Sequence, residues 1–375
     1  MNGSLAVWCD TTPRQVSGLE PRLDLHFNMW LDLPGTDSDV LDVGILFKEA
    51  RQIEQLNLFL PALISREAII DLSDVLHHDQ TLSAVFNSML SVGTDRIIEG
   101  QINRRFEVRD SKDKISFFVV CLDLQSDLDV EQLQGNEGTI IRFTKNMFLG
   151  INEVGGTHYV RFRIKLREDL RTLFRNASNP HDRMFLSGFH STDGIEFRVN
   201  ERRNFGDFLR KIKMEFPKIE AIHYFLVRDI STELVQSHAD FRKMRRLEPK
   251  LWDSYLRELG TSAPEKWIIY HWKEGGTPGA NVEDFIALTF FTKPRYHLLT
   301  YLTVIVLLGA AGSALQAYWT LLVKSAANLK EDSIWIPISL IVLVIMSIGT
   351  GYLISAVNWQ ALKSKTKRFC SFSEK

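Results

Sequence analysis

The stretch YVRFRIKLR, Tyr159 to Arg167, alternates apolar and basic side chains without a break. Successive side chains of a strand point to opposite faces, so Val160, Phe162, Ile164 and Leu166 share one side. Arg161, Arg163, Lys165 and Arg167 share the other. The pattern predicts a strand that lies over a core and holds its four bases on an exposed face. Reversing Arg161, Arg163 and Lys165 to Glu is then expected to spare folding, since exposed substitutions usually change stability by under about 0.5 kcal/mol.

Less regular alternation surrounds this strand at Leu23–Leu33, Ile115–Leu124, Thr139–Thr144, Ile195–Val199 and Ile222–Val227. Asp193-Gly194, between two hydrophobic runs, predicts a hairpin turn. Two helices are legible. Asn204 can cap one whose Phe205, Phe208, Leu209, Ile212 and Phe216 form a stripe that Pro217 stops. Pro249 can start another, with Trp252, Tyr255, Leu256 and Leu259 on one face and Gly260 past its end. Thr81–Leu90 is a weaker helical pattern, and Gly275–Gly279 reads as a loop. The sum is an α+β, sheet-rich domain over residues 20–295, after an N-terminal segment 1–19. A subdivision near 150–156, at Gly155-Gly156, stays open.

Charge selects no partner in bulk, because 45 basic side chains nearly balance 46 acidic ones. The distribution is uneven: acids outnumber bases over Glu20–Asp79, and bases outnumber acids over Tyr159–Lys250. Arg161, Arg163, Lys165 and Arg167, with Arg202, Arg203, Arg210 and Lys211, are therefore candidate contacts for an anionic partner such as a nucleotide or nucleic acid. A solvated face, or pairing with the acidic N-terminal region, explains the same bases.

Past this domain the composition changes. Leu298–Val323 and Ile334–Val357 contain no charged side chain, and each exceeds the roughly 20 residues that cross a hydrocarbon core of about 30 Å. Tyr296, Tyr301, Tyr318, Trp319, Trp335 and Trp359 stand near their ends, where amphipathic rings prefer the headgroup level. Lys293 and Arg295 precede the first run. Lys363, Lys365, Lys367, Arg368 and Lys375 follow the second, while the connection sets Lys324 and Lys330 against Glu331 and Asp332. The positive flanks predict a transmembrane helical hairpin over 296–359, with a basic tail at 360–375 and both termini cytoplasmic. Gly309, Ser313 and Ala317 line one face of the first span, and Ser347, Gly351 and Ser355 one face of the second. Small side chains allow close backbone approach in lipid, either within the hairpin or between subunits of a homo-oligomer.

Catalytic signals are missing by comparison. No phosphate-binding loop, nucleophile elbow or zinc-protease helix occurs. His77-His78-Asp79 reads as a surface loop, because adjacent histidines diverge on most backbones. His223 reads as a core or interface residue, and His271, between Tyr270 and Trp272, as part of an aromatic cluster. Asn200-Glu201-Arg202-Arg203 joins a strand to a helix, where free amides can hold an anion and where capping accounts for the same residues. Cys9, Cys121 and Cys370 are widely spaced and odd in number and form no metal-ligand pattern or disulfide framework, which suits a reducing compartment. Met1–Gln15 lacks the basic-then-apolar signature of a secretory signal. The expectation is a protein that is not an enzyme and needs no cofactor or metal.

A sheet-rich region followed by Leu298–Val323 and Ile334–Val357 resembles the two-transmembrane effectors of bacterial anti-phage systems, including those encoded beside retrons. The resemblance implies an abortive-infection toxin that sits in the bacterial inner membrane and perturbs it. It also implies restraint by a partner complex of reverse transcriptase and single-stranded DNA, with Arg161–Arg167 as an inhibitor contact. The alternative is a membrane-tethered binding or adaptor module whose hairpin is only an anchor.

Overall fold

Alternation like that of Tyr159–Arg167 recurs along the chain, and among the described residues the strands assemble into three sheets. The computed structural model describes residues 3–11, 20–33, 39–96, 104–178, 190–260, 266–277, 279–294 and 298–325, with Ile338, Ile341, Val342 and Ile345 beyond them. The earlier strands are β1 (Ala6–Thr11), β2 (Arg22–Trp30), β3 (Asp39–Glu49), β4 (Ile53–Leu60), β5 (Ile69–Asp71), β6 (Leu90–Arg96), β7 (Arg105–Asp110), β8 (Ile115–Val120) and β9 (Leu128–Gln132). Then come β10 (Thr139–Phe143), β11 (His158–Leu166), β12 (Arg175–Ser178), β13 (His190–Val199), β14 (Lys218–Asp229), β15 (Glu233–Ser237), β16 (Lys243–Arg246), β17 (Trp267–Gly275) and β18 (Phe285–Pro294). The helices are α1 (Ser73–Leu76), α2 (Asp79–Phe86), α3 (Lys145–Val154), α4 (Asp207–Lys211), α5 (Pro249–Leu256) and α6 (Leu298–Ser325).

The largest sheet has ten strands in the order β16-β17-β14-β2-β3-β11-β8-β7-β6, with β5 also beside β11. Two four-stranded sheets run β1-β4-β10-β9 and β12-β13-β18-β15. One face of the large sheet supplies Leu25, Phe27, Val43, Ile45, Phe162, Ile164 and Tyr224 to the main core. Val7, Leu58 and Ile141 meet it from one small sheet, and Phe197, Phe285 and Phe291 from the other. Each such side chain contributes about 1.5–3 kcal/mol on burial, so sheet-on-sheet packing is the main source of stability here.

The opposite face of the large sheet is covered at one end by helices. Pro249 opens α5, where its missing N–H costs no hydrogen bond, and Gly260 (φ 68°) ends the turn that follows. Between them Trp252, Tyr255 and Leu256, at helical spacing, pack on Trp30, Val40, Val227 and Trp267. Helix α2 covers the neighbouring region, with Leu82 buried among Phe106, Phe117 and Tyr159.

Two expectations are corrected here. Asp193-Gly194 is not a hairpin turn but lies inside β13, where Arg175 (2.6 Å) and Arg228 (3.0 Å) hold the buried Asp193 carboxylate. The Phe205–Phe216 stripe is helical only over Asp207–Lys211. Phe205 and Leu209 are buried against Trp8 and Phe59, but Ile212 is already extended. The Cys9 amide then donates to the Glu215 carbonyl at 2.8 Å. Pairing with β1 outcompetes another helical turn.

The chain divides into two units, Met1–Ala177 with Asp193–Thr292, and Ser178–Thr192 with Lys293–Lys375. Gly155-Gly156 is the turn from α3 to β11 within the first. In the second, α6 is long and apolar enough, over Leu302–Leu321, to cross a membrane. Leu302, Ile305, Val306, Leu308, Leu315 and Trp319 are exposed along it, while Ala314 is buried. The expected second span lies outside the described residues except at Ile338, Ile341, Val342 and Ile345, which are helical. Trp335, Trp359 and the tail 360–375 also lie outside them.

Candidate functional site

Register brings the polar residues of the large sheet together on the face that α2 and α5 partly cover. Arg163 stands opposite Asp42, and Arg161 opposite Gly44. Gly44 stands opposite His26, and His26 opposite His223. Across the next pairing, His223 faces Lys273 and Phe225 faces His271. A polar seam therefore crosses five strands, from β11 to β17.

The β11 end of the seam is fully enclosed, which overturns the exposed basic face. Arg161 is 1 % exposed and Arg163 0 %, while Lys165 is half-buried and Arg167 alone is exposed. Arg163 donates from Nε to Asp42 Oδ1 at 2.6 Å and from Nη2 to Oδ2 at 3.1 Å. Trp30 Nε1 (2.8 Å) and the Tyr255 hydroxyl (2.7 Å) also donate to Oδ2. Arg163 Nη1 reaches the Tyr255 carbonyl, so α5 closes over the pair with both a hydroxyl and a backbone acceptor. Arg161 donates to the Tyr255 and Tyr159 hydroxyls at 2.7 and 2.8 Å. Burial opposes the charge on Asp42, but Arg163, Arg161 and these donors outweigh it and hold the carboxyl below its usual range.

The local sequence explains this geometry. A side chain at Gly44 would bring its Cβ to 2.1 Å from the Tyr159 hydroxyl, so only glycine lets that ring cross β3. The hydroxyl then lies 3.3 Å from His26 Nδ1 and links the enclosed end to the open one.

At the open end, His26, His223 and His271 form a half-buried row. Ring centroids are 4.8 Å apart for His26–His223 and 5.2 Å for His223–His271, and His223 Nδ1 is 3.1 Å from His271 Nε2. Phe225 stacks on His271 at 4.2 Å. Burial and neighbouring cations push His223 down to about 3 and His271 to about 4, and hold His26 well below its usual value. Lys48 sits beside the row, bound to Asp24 (2.8 Å) and Glu220 (2.9 Å). Among the described residues, no group of three or more His, Cys, Asp or Glu is placed to hold a metal ion.

The other sequence candidates are dispersed. Arg202, in a short turn after β13, stacks over Phe216 at 4.5 Å, and Arg203 pairs with Glu201 at 2.7 Å. The Asn200 side chain accepts the Val7 amide at 2.8 Å, so it ties β1 to this turn. His77 lies 2.9 Å from Asp95. On α6, Gly309 and Ser313 are exposed and Ala317 is half-buried, and a Cβ at Gly309 would touch nothing within 4 Å. Ser347, Gly351 and Ser355 lie outside the described residues. Sequence reasoning missed Asp42, Tyr159, Tyr255 and His26. Their one signal was Asp42 and Gly44 interrupting the apolar run of β3, where neither residue favours a strand.

No protein-family model matches the chain, and no curated protein matches it.

Proposed function

We propose that the chain is a membrane-anchored effector. Its sheet-rich domain lies in the cytoplasm and receives a trigger or an inhibitor. Its two C-terminal spans form a hairpin that associates with other copies and perturbs a bacterial inner membrane. The observation that carries this reading is α6, whose large apolar side chains Leu302, Ile305, Val306, Leu308, Leu315 and Trp319 are exposed and whose Gly309 is open to close approach. Such a surface is stable in lipid rather than water, and small residues favour helix association there. The basic residues flanking the spans support cytoplasmic termini. In this reading the chain acts in abortive infection, restrained by a complex of reverse transcriptase and single-stranded DNA until infection releases it. Because Arg161 and Arg163 are enclosed, any inhibitor contact falls on the exposed Arg167 or elsewhere.

Reconstitution tests the reading. The purified chain should release a small dye from liposomes, and Gly309→Leu should lower that release at equal insertion. Intact liposomes at high protein content would refute membrane perturbation. The second reading, a tethered binding module, is favoured by the open histidine row, which is placed to meet a ligand. It takes over if the vesicles stay sealed.

A further inference from the structure

The histidine row lies in an excess of positive charge. The charged groups acting most strongly on His223 and His271 are Arg242, Lys273, Lys48, Lys243 and Arg245. The nearby acids are already engaged: Asp24 on β2 and Glu220 on β14 are bound to Lys48, and Glu248 is bound to Arg245. Among the described residues, Lys273, Arg242 and Lys243 have no carboxylate within salt-bridge distance. A separate observation comes from the enclosed end. Arg161 Nη2 is buried without a hydrogen-bond partner and stands 4.0 Å from Asp42, whose oxygens already accept four donors. Positive charge on this face thus exceeds its protein counter-ions at both ends of the Tyr159 link.

We propose that the open row of His26, His223 and His271, with Lys273 beside it, binds an oxyanion: a phosphate group, free or carried as a monoester. The ammonium of Lys273 and imidazole N–H groups are donors suited to phosphate oxygens, and such charge-assisted bonds are about twice as strong as neutral ones. The anion also supplies the missing counter-charge. It favours imidazolium over imidazole, so binding takes up protons. The site goes beyond the membrane reading and stands whether or not the hairpin acts on lipid.

The test uses the full chain in detergent micelles and calorimetric titration. Sulfate is the first probe, because its charge is fixed across the range. Its affinity should rise as pH falls from about 7 to about 5, by at most about tenfold per pH unit for each proton taken up. His271→Gln should flatten this dependence. Lys273→Gln should weaken binding about tenfold while leaving the pH dependence in place. Unchanged circular dichroism of both variants keeps folding out of the comparison. Inorganic phosphate and a nucleoside monophosphate then distinguish the sources. Tighter binding of the monophosphate assigns an ester, and equal binding assigns free phosphate. Failure of all three anions to bind at millimolar concentration overturns the site, as does binding that neither substitution weakens.

Discussion

Arg163 and Asp42 face each other across β11 and β3, and their side chains form a two-point ion pair that is fully enclosed. Burial of two charges costs several kcal/mol per ion, so the pair is tolerable only because Trp30 and Tyr255 saturate the carboxylate. Breaking it strands a charge. Asp42→Ala should lose about 3–5 kcal/mol, read from urea unfolding, because two guanidinium groups lose their carboxylate. The Asp42→Leu, Arg163→Met double variant should lose less than the sum of its single changes. Reversal of Arg161 and Arg163 to Glu, which an exposed face would tolerate, should instead abolish folding.

Gly44→Ala isolates the backbone requirement at the centre of the seam. The added methyl would meet the Tyr159 hydroxyl at 2.1 Å and its ring carbon at 2.7 Å. Overpacking of this kind typically costs about 1–3 kcal/mol. Tyr159→Phe removes the nearer clash but not the farther one, so it should restore part of the loss. Thermal unfolding of the four proteins of this cycle measures the coupling. Simple additivity would disconnect Gly44 from Tyr159.

The histidine row predicts a sign for the dependence of stability on pH. In the unfolded chain a histidine takes up a proton near 6.5, but His271 resists until about 4 and His223 until about 3. The unfolded state therefore binds more protons below pH 6.5, and these residues make stability fall as pH drops through that window. Asp71, raised to about 7 by burial, acts in the opposite direction, losing stability as pH rises from the ordinary carboxylate range towards 7. The difference between wild type and His271→Gln separates the two effects. It should be smaller at pH 5 than at pH 7, as urea midpoints would report. A difference independent of pH would mean that His271 titrates normally in the folded chain.

Strand positions were legible in the sequence because alternation is local: β11, β10 and the β8 start match the expected segments within about two residues. The environment of the second face was not. A period of two says which side chains share a side, and says nothing about what covers it. The cover on Arg161 and Arg163 comes from Tyr255, far along the chain, and their counter-ion from Asp42 in the acidic N-terminal region. Pairing with that region was the open alternative at the sequence level. Asp193-Gly194 misled for the same reason, since a turn signature cannot show that Arg175 and Arg228 hold the aspartate inside a strand. His26 carried no local signal at all. It becomes a site residue only when parallel pairing of β2 with β14 sets it beside His223.

Membrane potential in cells that express the intact chain without its genomic neighbours tests the effector account most directly. Exposed apolar side chains on α6 and the open Gly309 predict depolarisation and growth arrest. Gly309→Leu should relieve both at equal membrane abundance, because leucine suits lipid but blocks close helix approach. An unchanged potential at high membrane abundance of the intact chain, even with its trigger supplied, would contradict the account and leave α6 as an anchor.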